Sequence, residues 1–573
     1  MPYIDWLGKD DVVHHHKEIA YKTIDCQEVV GDANSENMII KGDNLLALKS
    51  LLPYYANAVK MIYIDPPYNT GNTSWIYNDN MGSPLIKKWL DNTVNAEDLS
   101  RSDKWLCMMY PRLKLLRELL KEDGVIFISI DDAEVAHLRM ICDEIFGAEN
   151  FIANIIWKHT QQSKNDEPYF SRQNNATLSY RKSSELKQLR FERTEKDNKN
   201  YSNPDNDING KWRSGDVRSP SYRKTLCFNI ITPSGNIISP PENGWRWKEE
   251  EIQRKIDIDE IIFNNDETKI IRKIYLKNQN GRTPENVWFG DEFGTTREAN
   301  NELKDIFNKA NFDTPKPTKL IRKMLQLCTS NNDIILDSFA GSGTTAHAVI
   351  EQNRADGGNR KFILIETLDY AKEITAERVK RVQQGYAFKG KDKTTLYEKK
   401  ITTTQLLKAK TMETIATEVE TLIEKEKPNY TKIEKTFKDN LLKVVGIKDI
   451  ESFKEGLGGG FKYCELGVEI FDEFGELNSE LTFRDIAKHV YFVEFKIPLQ
   501  TKELEAQYIG SHKKRHLYFF EERFKIANMK KLVREQEAYK EMIVYTRKCS
   551  ISNDELKKHK ITVRYIPYDI KNN

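Results

Sequence analysis

No apolar run in this chain of 573 residues approaches the roughly 20 needed to span a bilayer, and the N-terminus lacks the apolar core of a secretory signal. Both absences point to a cytoplasmic protein with no membrane partner. The seven cysteines are an odd number without a C-x-x-C pair, which argues against a zinc site or a disulfide framework and for a reducing compartment. Net charge is also nearly missing: 89 Lys and Arg stand against 87 Asp and Glu, a formal +2, so a polyanion could be gripped only through local patches. Gly456-Leu457-Gly458-Gly459-Gly460 lacks the Lys-Ser/Thr of a phosphate loop. His14-His15-His16 is shorter than a usual histidine tag, and no metal site is expected there.

What is present is length for about two to four domains and one tetrapeptide of unusual chemistry, Asp65-Pro66-Pro67-Tyr68. It follows the apolar run Val59-Lys60-Met61-Ile62-Tyr63-Ile64. Such a run reads as a buried parallel strand, and ligands of open α/β sheets collect beyond the carboxyl ends of these strands. Two prolines remove two backbone donors and stiffen the turn, so its carbonyls point in fixed directions. An exocyclic ring amine such as adenine N6 is a weak nucleophile because its lone pair is delocalised into the ring. With one N–H accepted by the Asp65 carboxylate and the other by the Pro66 carbonyl, the nitrogen is drawn toward tetrahedral geometry. Tyr68 offers a flat face to the base. The motif reads as an amine-methylating site that works by positioning and electrostatics.

A methyl donor should leave its own trace, and one appears at Asp333-Ile334-Ile335-Leu336-Asp337-Ser338-Phe339-Ala340-Gly341-Ser342-Gly343-Thr344-Thr345. This is a strand, a glycine-rich turn and a helix start. The next strand, Lys361 to Ile365, ends in Glu366, where a dinucleotide fold would grip ribose hydroxyls. The third glycine of G-x-G-x-x-G is missing, which makes nicotinamide binding the weaker reading.

With both motifs in this order, the sequence resembles the β group of amino-methyltransferases acting on DNA, and more closely the Mod subunits of type III restriction-modification systems. The likeness extends through Asp5 to Lys9, Lys41 to Leu45, Asn69-Thr70-Gly71-Asn72, Leu99 to Trp105 and Gly124 to Asp132. Later it takes in Lys316 to Ile321 and Gly458 to Tyr463. The resemblance implies that Asp65, Pro66, Pro67 and Tyr68 are catalytic. It implies that Asp337, Phe339, Gly341, Gly343, Thr344 and Glu366 line an S-adenosylmethionine pocket, with Lys316 and Pro317 on its methionine side and Asp43 a further contact. The implied reaction is N6 methylation of adenine in double-stranded DNA by base flipping. The implied partners are a second copy of the chain and a restriction subunit carrying a helicase motor and a nuclease.

The expected fold is α/β: a doubly wound, mainly parallel, Rossmann-like sheet of the S-adenosylmethionine-dependent methyltransferase kind, with an inserted target-recognition domain and a C-terminal α+β region. Residues 1–158 and 313–397 form the two parts of the methyltransferase domain. Residues 159–312 form the insertion, rich in polar residues, arginines and aromatics such as Trp245-Arg246-Trp247-Lys248. Asn165-Asp166-Glu167-Pro168-Tyr169-Phe170-Ser171-Arg172 falls where the family pattern fades. Residues 398–573 form the C-terminal region, with a helical stripe of Met412, Ile415, Val419, Leu422 and Ile423 expected to pack a core or a second subunit. Cytosine-N4 methylation is the chemical rival, although such enzymes more often carry Ser where Asp65 stands. Glutamine methylation of proteins is a second, and its enzymes usually carry Asn there. A recognition module that mainly directs a nuclease is the rival of another class, and it would show a damaged motif.

Overall fold

The computed structural model describes residues 4–69, 100–163, 168–309, 312–500, 504–536 and 539–571. Residues 70–72, 99 and 165–167 of the motifs above lie outside the described residues. The chain divides into a large unit, 1–187 with 286–573, and a small one, 188–285.

The large unit is organised on a sheet of ten strands among the described residues: β1 (Lys22–Gly31), β2 (Met38–Lys41), β3 (Val59–Ile64), β4 (Leu120–Ile130), β5 (Phe151–Lys158), β6 (Asn174–Arg181), β7 (Val287–Phe289), β8 (Ile334–Asp337), β9 (Lys361–Glu366) and β10 (Gly460–Glu469). Their order is β1-β10-β2-β9-β8-β3-β4-β6-β5-β7. The six strands from β10 to β4 run parallel, whereas β1 and β6 are antiparallel to their neighbours. Every residue of β3 is buried, as expected of a strand covered on both faces.

Among the helices that flank these strands, four bear on the site. Helix α1 (Asn44–Tyr55) is capped by Asp43, and α2 (Arg101–Leu119) opens with a Ser100/Asp103 capping box. Helix α3 (Thr318–Cys328) follows Pro317, and α4 (Thr344–Asp356) starts from Gly343. Helices α1 and α2 pack on β2, β3 and β4 through Leu48, Leu51, Leu106, Met109 and Leu113 in the main core.

Neighbours β3 and β8 mark where the winding reverses: the chain passes from β3 to β4 on one side and from β8 through α4 to β9 on the other. A crevice outside the carboxyl ends of two such strands is the usual ligand position in open α/β sheets. Asp65 follows β3, and Asp337 ends β8.

The insertion is shorter than composition suggests. Residues 159–187 and 286–312 belong to the large unit, because β6 and β7 join the main sheet. Strand β6 is disguised by its polar sequence. Its Thr177 and Ser179 are buried, and Thr177 meets Ser129 of β4 at 3.3 Å between hydroxyls. The C-terminal region is less separate than expected as well, since β10 lies between β1 and β2. Cys26 of β1 and Cys464 of β10 stand opposite one another and are disulfide-bonded. A separation of 438 residues hid that pairing from any argument on cysteine spacing.

Beyond α4 and β9, a three-stranded sheet (Gly385–Lys400, Leu441–Glu455, Lys432–Lys438) accompanies α5 (Ala409–Glu426), whose stripe buries Ile415 and Val419. A four-stranded sheet over 508–565 follows, with a helix (Phe483–Phe495) on one core and another (Ile526–Glu535) on a second.

The small unit holds a three-stranded antiparallel sheet (Ile261–Phe263, Ile270–Tyr275, Trp212–Gly215) and a core of Ile230, Ile238, Trp245, Ile252, Ile261 and Ile270. The buried Lys273 ammonium lies between Asp205 and Asp207, 2.7 and 2.5 Å from their carboxylates. Among the described residues no helix is long and apolar enough to cross a membrane, and no cluster of three or more His, Cys, Asp or Glu is arranged to hold a metal.

Candidate active site

Asp65 leaves the end of β3 with its carboxylate a quarter exposed. Its Oδ1 accepts from the Tyr68 hydroxyl at 2.7 Å, and its Oδ2 accepts from the Lys316 ammonium. The same ammonium lies 5.2 Å from the centre of the Tyr68 ring. Burial and the Asp65 charge push the Tyr68 phenol well up, so it stays a donor. Between these residues the diproline turn is held by Trp105, fully buried on α2, whose Nε1 donates to the Pro67 carbonyl at 2.7 Å.

Asn69 closes the turn with a left-handed φ of 60° and is fully buried. Its Nδ2 donates to Glu134 at 2.6 Å. Glu134, itself 1% exposed, also accepts from Ser102 at 2.8 Å and meets His137 Nδ1 at 2.7 Å. This support is absent from the sequence reading, because Asn69 and Glu134 stand 65 residues apart.

Across the crevice, Asp337 is almost fully buried. Its Oδ1 accepts from the Phe339 amide at 3.0 Å and its Oδ2 from the Thr345 hydroxyl at 2.5 Å. Glu366 accepts from the amides of Gly341 (2.8 Å) and Leu368 (3.0 Å). Burial pushes both carboxyls up to about 7, against those hydrogen bonds; the charges of Asp65 and Glu366 add to the rise at Asp337. The turn itself needs glycine at 343, where φ is +79° and a Cβ would meet the Thr375 carbonyl oxygen at 3.0 Å.

Behind this turn lies Arg378, fully buried, whose Nη1 donates to Ser342 Oγ at 3.0 Å and to Thr344 Oγ1 at 2.9 Å. Desolvation brings its guanidinium down to about 10. Thr344 in turn donates to the Lys316 carbonyl at 3.2 Å. From the other side Arg112 Nε donates to Asn44 Oδ1 at 2.5 Å, and Asn44 Nδ2 donates to the Ser338 carbonyl at 3.2 Å.

A cavity of about 50 Å³ joins the two motifs. Tyr63, Asp65, Phe312 to Lys316, Asp337, Phe339, Gly341, Ser342, Thr344 and Thr345 line it. Of the residues expected from sequence, Asp65, Lys316, Asp337, Phe339, Gly341 and Thr344 therefore meet at one place. Tyr68 touches it through Asp65 and Lys316. Pro66, Pro67, Pro317, Gly343 and Glu366 shape the surrounding turns without lining the cavity. Asp43 spends its Oδ1 on the amides of Leu45 and Leu46 at 2.9 and 3.1 Å, with Arg112 3.6 Å from its Oδ2. Phe312 to Pro315 were missed because their composition is that of an ordinary loop; their continuity with Lys316-Pro317 was the available signal.

The crevice at the reversal of the doubly wound sheet thus has a glycine turn on one wall and an acid-diproline-tyrosine turn on the other. A family profile described as DNA methylase matches residues 59–377, and the chain belongs to this family. The chain is 35% identical over 417 residues to the Mod subunit of the type III restriction-modification enzyme StyLTI of Salmonella typhimurium, covering 66% of this chain and 62% of that one. It is 34% identical over 376 residues to the EcoPI Mod subunit of Escherichia phage P1, covering 58% of each. It is 32% identical over 356 residues to the type II methyltransferase M.KpnI of Klebsiella pneumoniae, covering 59% of this chain and 81% of that one. The matches to the two Mod subunits thus span about three fifths of those subunits' length.

Proposed function

We propose that the protein transfers a methyl group from S-adenosylmethionine to adenine N6 in double-stranded DNA, at a specific sequence, as the modification and recognition subunit of a type III restriction-modification system. The observation that carries this reading is the convergence of Asp65 and Asp337 on one cavity at the carboxyl ends of neighbouring strands β3 and β8.

The donor set suits the methyl donor. Glu366 and Asp337 offer buried carboxylate oxygens beside the glycine turn, and Phe339 offers an apolar side chain. When bound, S-adenosylmethionine would supply an electrophilic methyl. Asp65 accepts one hydrogen of the base amine and the Pro66 carbonyl the other, which localises the nitrogen lone pair. Trp105 and Asn69 hold the turn rigid so that this geometry exists before the base arrives.

Extracting a base from duplex costs a few kcal/mol, and stacking on one ring returns about 1–3 kcal/mol. Tyr68 alone does not balance the cost. The unit 188–285, with its arginines and aromatics between the two motifs in sequence, is the natural source of the remaining DNA contacts. The family likeness further supports pairing with a second copy and with a helicase-nuclease subunit, in the cytoplasm where unmodified DNA is met.

The test is methyl transfer from labelled S-adenosylmethionine to genomic DNA lacking the modification, by the wild type and Asp65→Ala, followed by sequencing that detects modified bases. Label in N6-methyladenine at one short motif, lost in Asp65→Ala, is the expected result. Label in N4-methylcytosine would transfer the reading to the cytosine amine. Cofactor binding without DNA methylation would overturn the enzymatic reading in favour of recognition alone.

A further inference from the structure

Lys316 is expected from sequence to serve the cofactor, yet its ammonium is on Asp65. The contact joins the two walls of the crevice, since Lys316 leads into α3 while Asp65 follows β3. The Lys316 side chain is one tenth exposed and lies over the Tyr68 ring, so the ammonium touches both members of the acid-tyrosine pair. Its backbone is tied to the opposite wall, because Thr344, which opens α4 after the glycine turn, donates to the Lys316 carbonyl. Arg378 fixes Thr344 from behind. A continuous chain of contacts thus runs from the buried guanidinium through Thr344 and Lys316 to the Asp65 carboxylate.

We propose, resting on the methyltransferase reading above, that Lys316 is a positioning residue for Asp65 rather than a cofactor ligand, and that through Thr344 it registers the glycine turn against the carboxylate that orients the amine. A carboxylate offers about four lone-pair directions. Tyr68 takes one on Oδ1 and Lys316 one on Oδ2, which fixes the plane of the group. Directions are left over for the amine hydrogen, and Asp65 lines the cavity. Without Lys316 the Asp65 side chain keeps one donor and is free to turn about it. Misplacing a reacting group by about 1 Å costs on the order of a hundredfold in rate.

The experiment compares wild type, Lys316→Met and Lys316→Arg in methyl transfer to unmodified genomic DNA. S-Adenosylmethionine affinity is measured separately by equilibrium titration, and melting temperature serves as the control for folding. Lys316→Met is expected to lower kcat at saturating cofactor by about ten- to a hundredfold, with cofactor affinity within about twofold of wild type. Lys316→Arg, which restores a cationic donor, is expected to recover most of that loss. Three outcomes would overturn the inference: cofactor affinity weakened tenfold or more with kcat preserved, an Arg variant no better than Met, or an unchanged or raised kcat in Lys316→Met. A wild type that transfers no methyl group to DNA would instead refute the methyltransferase reading itself.

Discussion

Asn69 Nδ2 donates to Glu134 Oε1 at 2.6 Å, and this buried pair closes the turn that carries Asp65 and Tyr68. Glu134→Gln would replace one of two acceptor oxygens with a donor in a nest of three donors, Asn69, Ser102 and His137. Leaving a buried donor unmatched costs about 1–3 kcal/mol. The expected outcome is a lowered melting temperature and a methyl-transfer rate reduced by at least tenfold with cofactor affinity retained, read by calorimetry and steady-state kinetics. A variant with wild-type kcat would show that Tyr68 is held by other means.

Cofactor binding should depend on pH. Burial raises the Asp337 and Glu366 carboxyls to about 7 in the folded protein. Hydroxyl and amine donors of a ligand favour the ionised forms. S-Adenosylmethionine affinity is therefore expected to rise between about pH 6 and 8 and level off above, with proton release on binding in the lower part of that range. For the free protein the sign is opposite. The folded state holds more protons than the unfolded chain between about pH 4 and 7, so these two groups make stability fall as pH rises across that window. Titration calorimetry in buffers of different ionisation heat reads the first effect. Glu366→Gln should flatten the profile.

Gly343→Ala tests the turn. The φ of +79° disfavours a side chain, and the added methyl would press on the Thr375 carbonyl oxygen at 3.0 Å. The expected cost is about 1–3 kcal/mol, seen as a lower melting temperature, with cofactor affinity weakened because Thr344 and Gly341 shift with the turn. Unchanged affinity would show that the turn tolerates the strain without moving its neighbours.

Lys273→Met should act on the small unit alone. Removal of the buried ammonium leaves Asp205 and Asp207 facing one another without a counter-charge, although the Lys273 contact is what holds the Asp207 carboxyl well below the usual range. Limited proteolysis is expected to cut earlier within 188–285 and specific DNA binding to fall, with cofactor binding by the large unit retained. Loss of cofactor binding would show that the two units do not unfold separately.

Much of the main sheet was legible because its strands are continuous apolar runs. Val59 to Ile64, Ile334 to Asp337 and Lys361 to Glu366 were placed where the structure has them, and both motifs at their ends followed. The start of helix Arg101–Leu119 is likewise a local signal, the Ser100/Asp103 capping box. Strand β6 was not legible: Asn174 to Arg181 buries the polar Thr177 and Ser179, and the Thr177 hydroxyl meets Ser129 of β4, a pairing that polarity disguises. Nor were Arg378, Glu134 and the Lys316–Asp65 contact, each of which depends on residues distant in sequence that only the tertiary fold brings together. Motifs reveal which side chains act; they do not reveal what holds those side chains.

Strand β10 enters the main sheet between β1 and β2 about 420 residues after β2 has been made. At about 5–20 residues per second on the ribosome, the apolar edge of Met38 to Lys41 waits tens of seconds for its neighbour. Nascent chains of this protein are thus expected to need chaperone cover until synthesis has passed residue 469, and a version cut near residue 397 would keep both motifs but carry a permanently open edge.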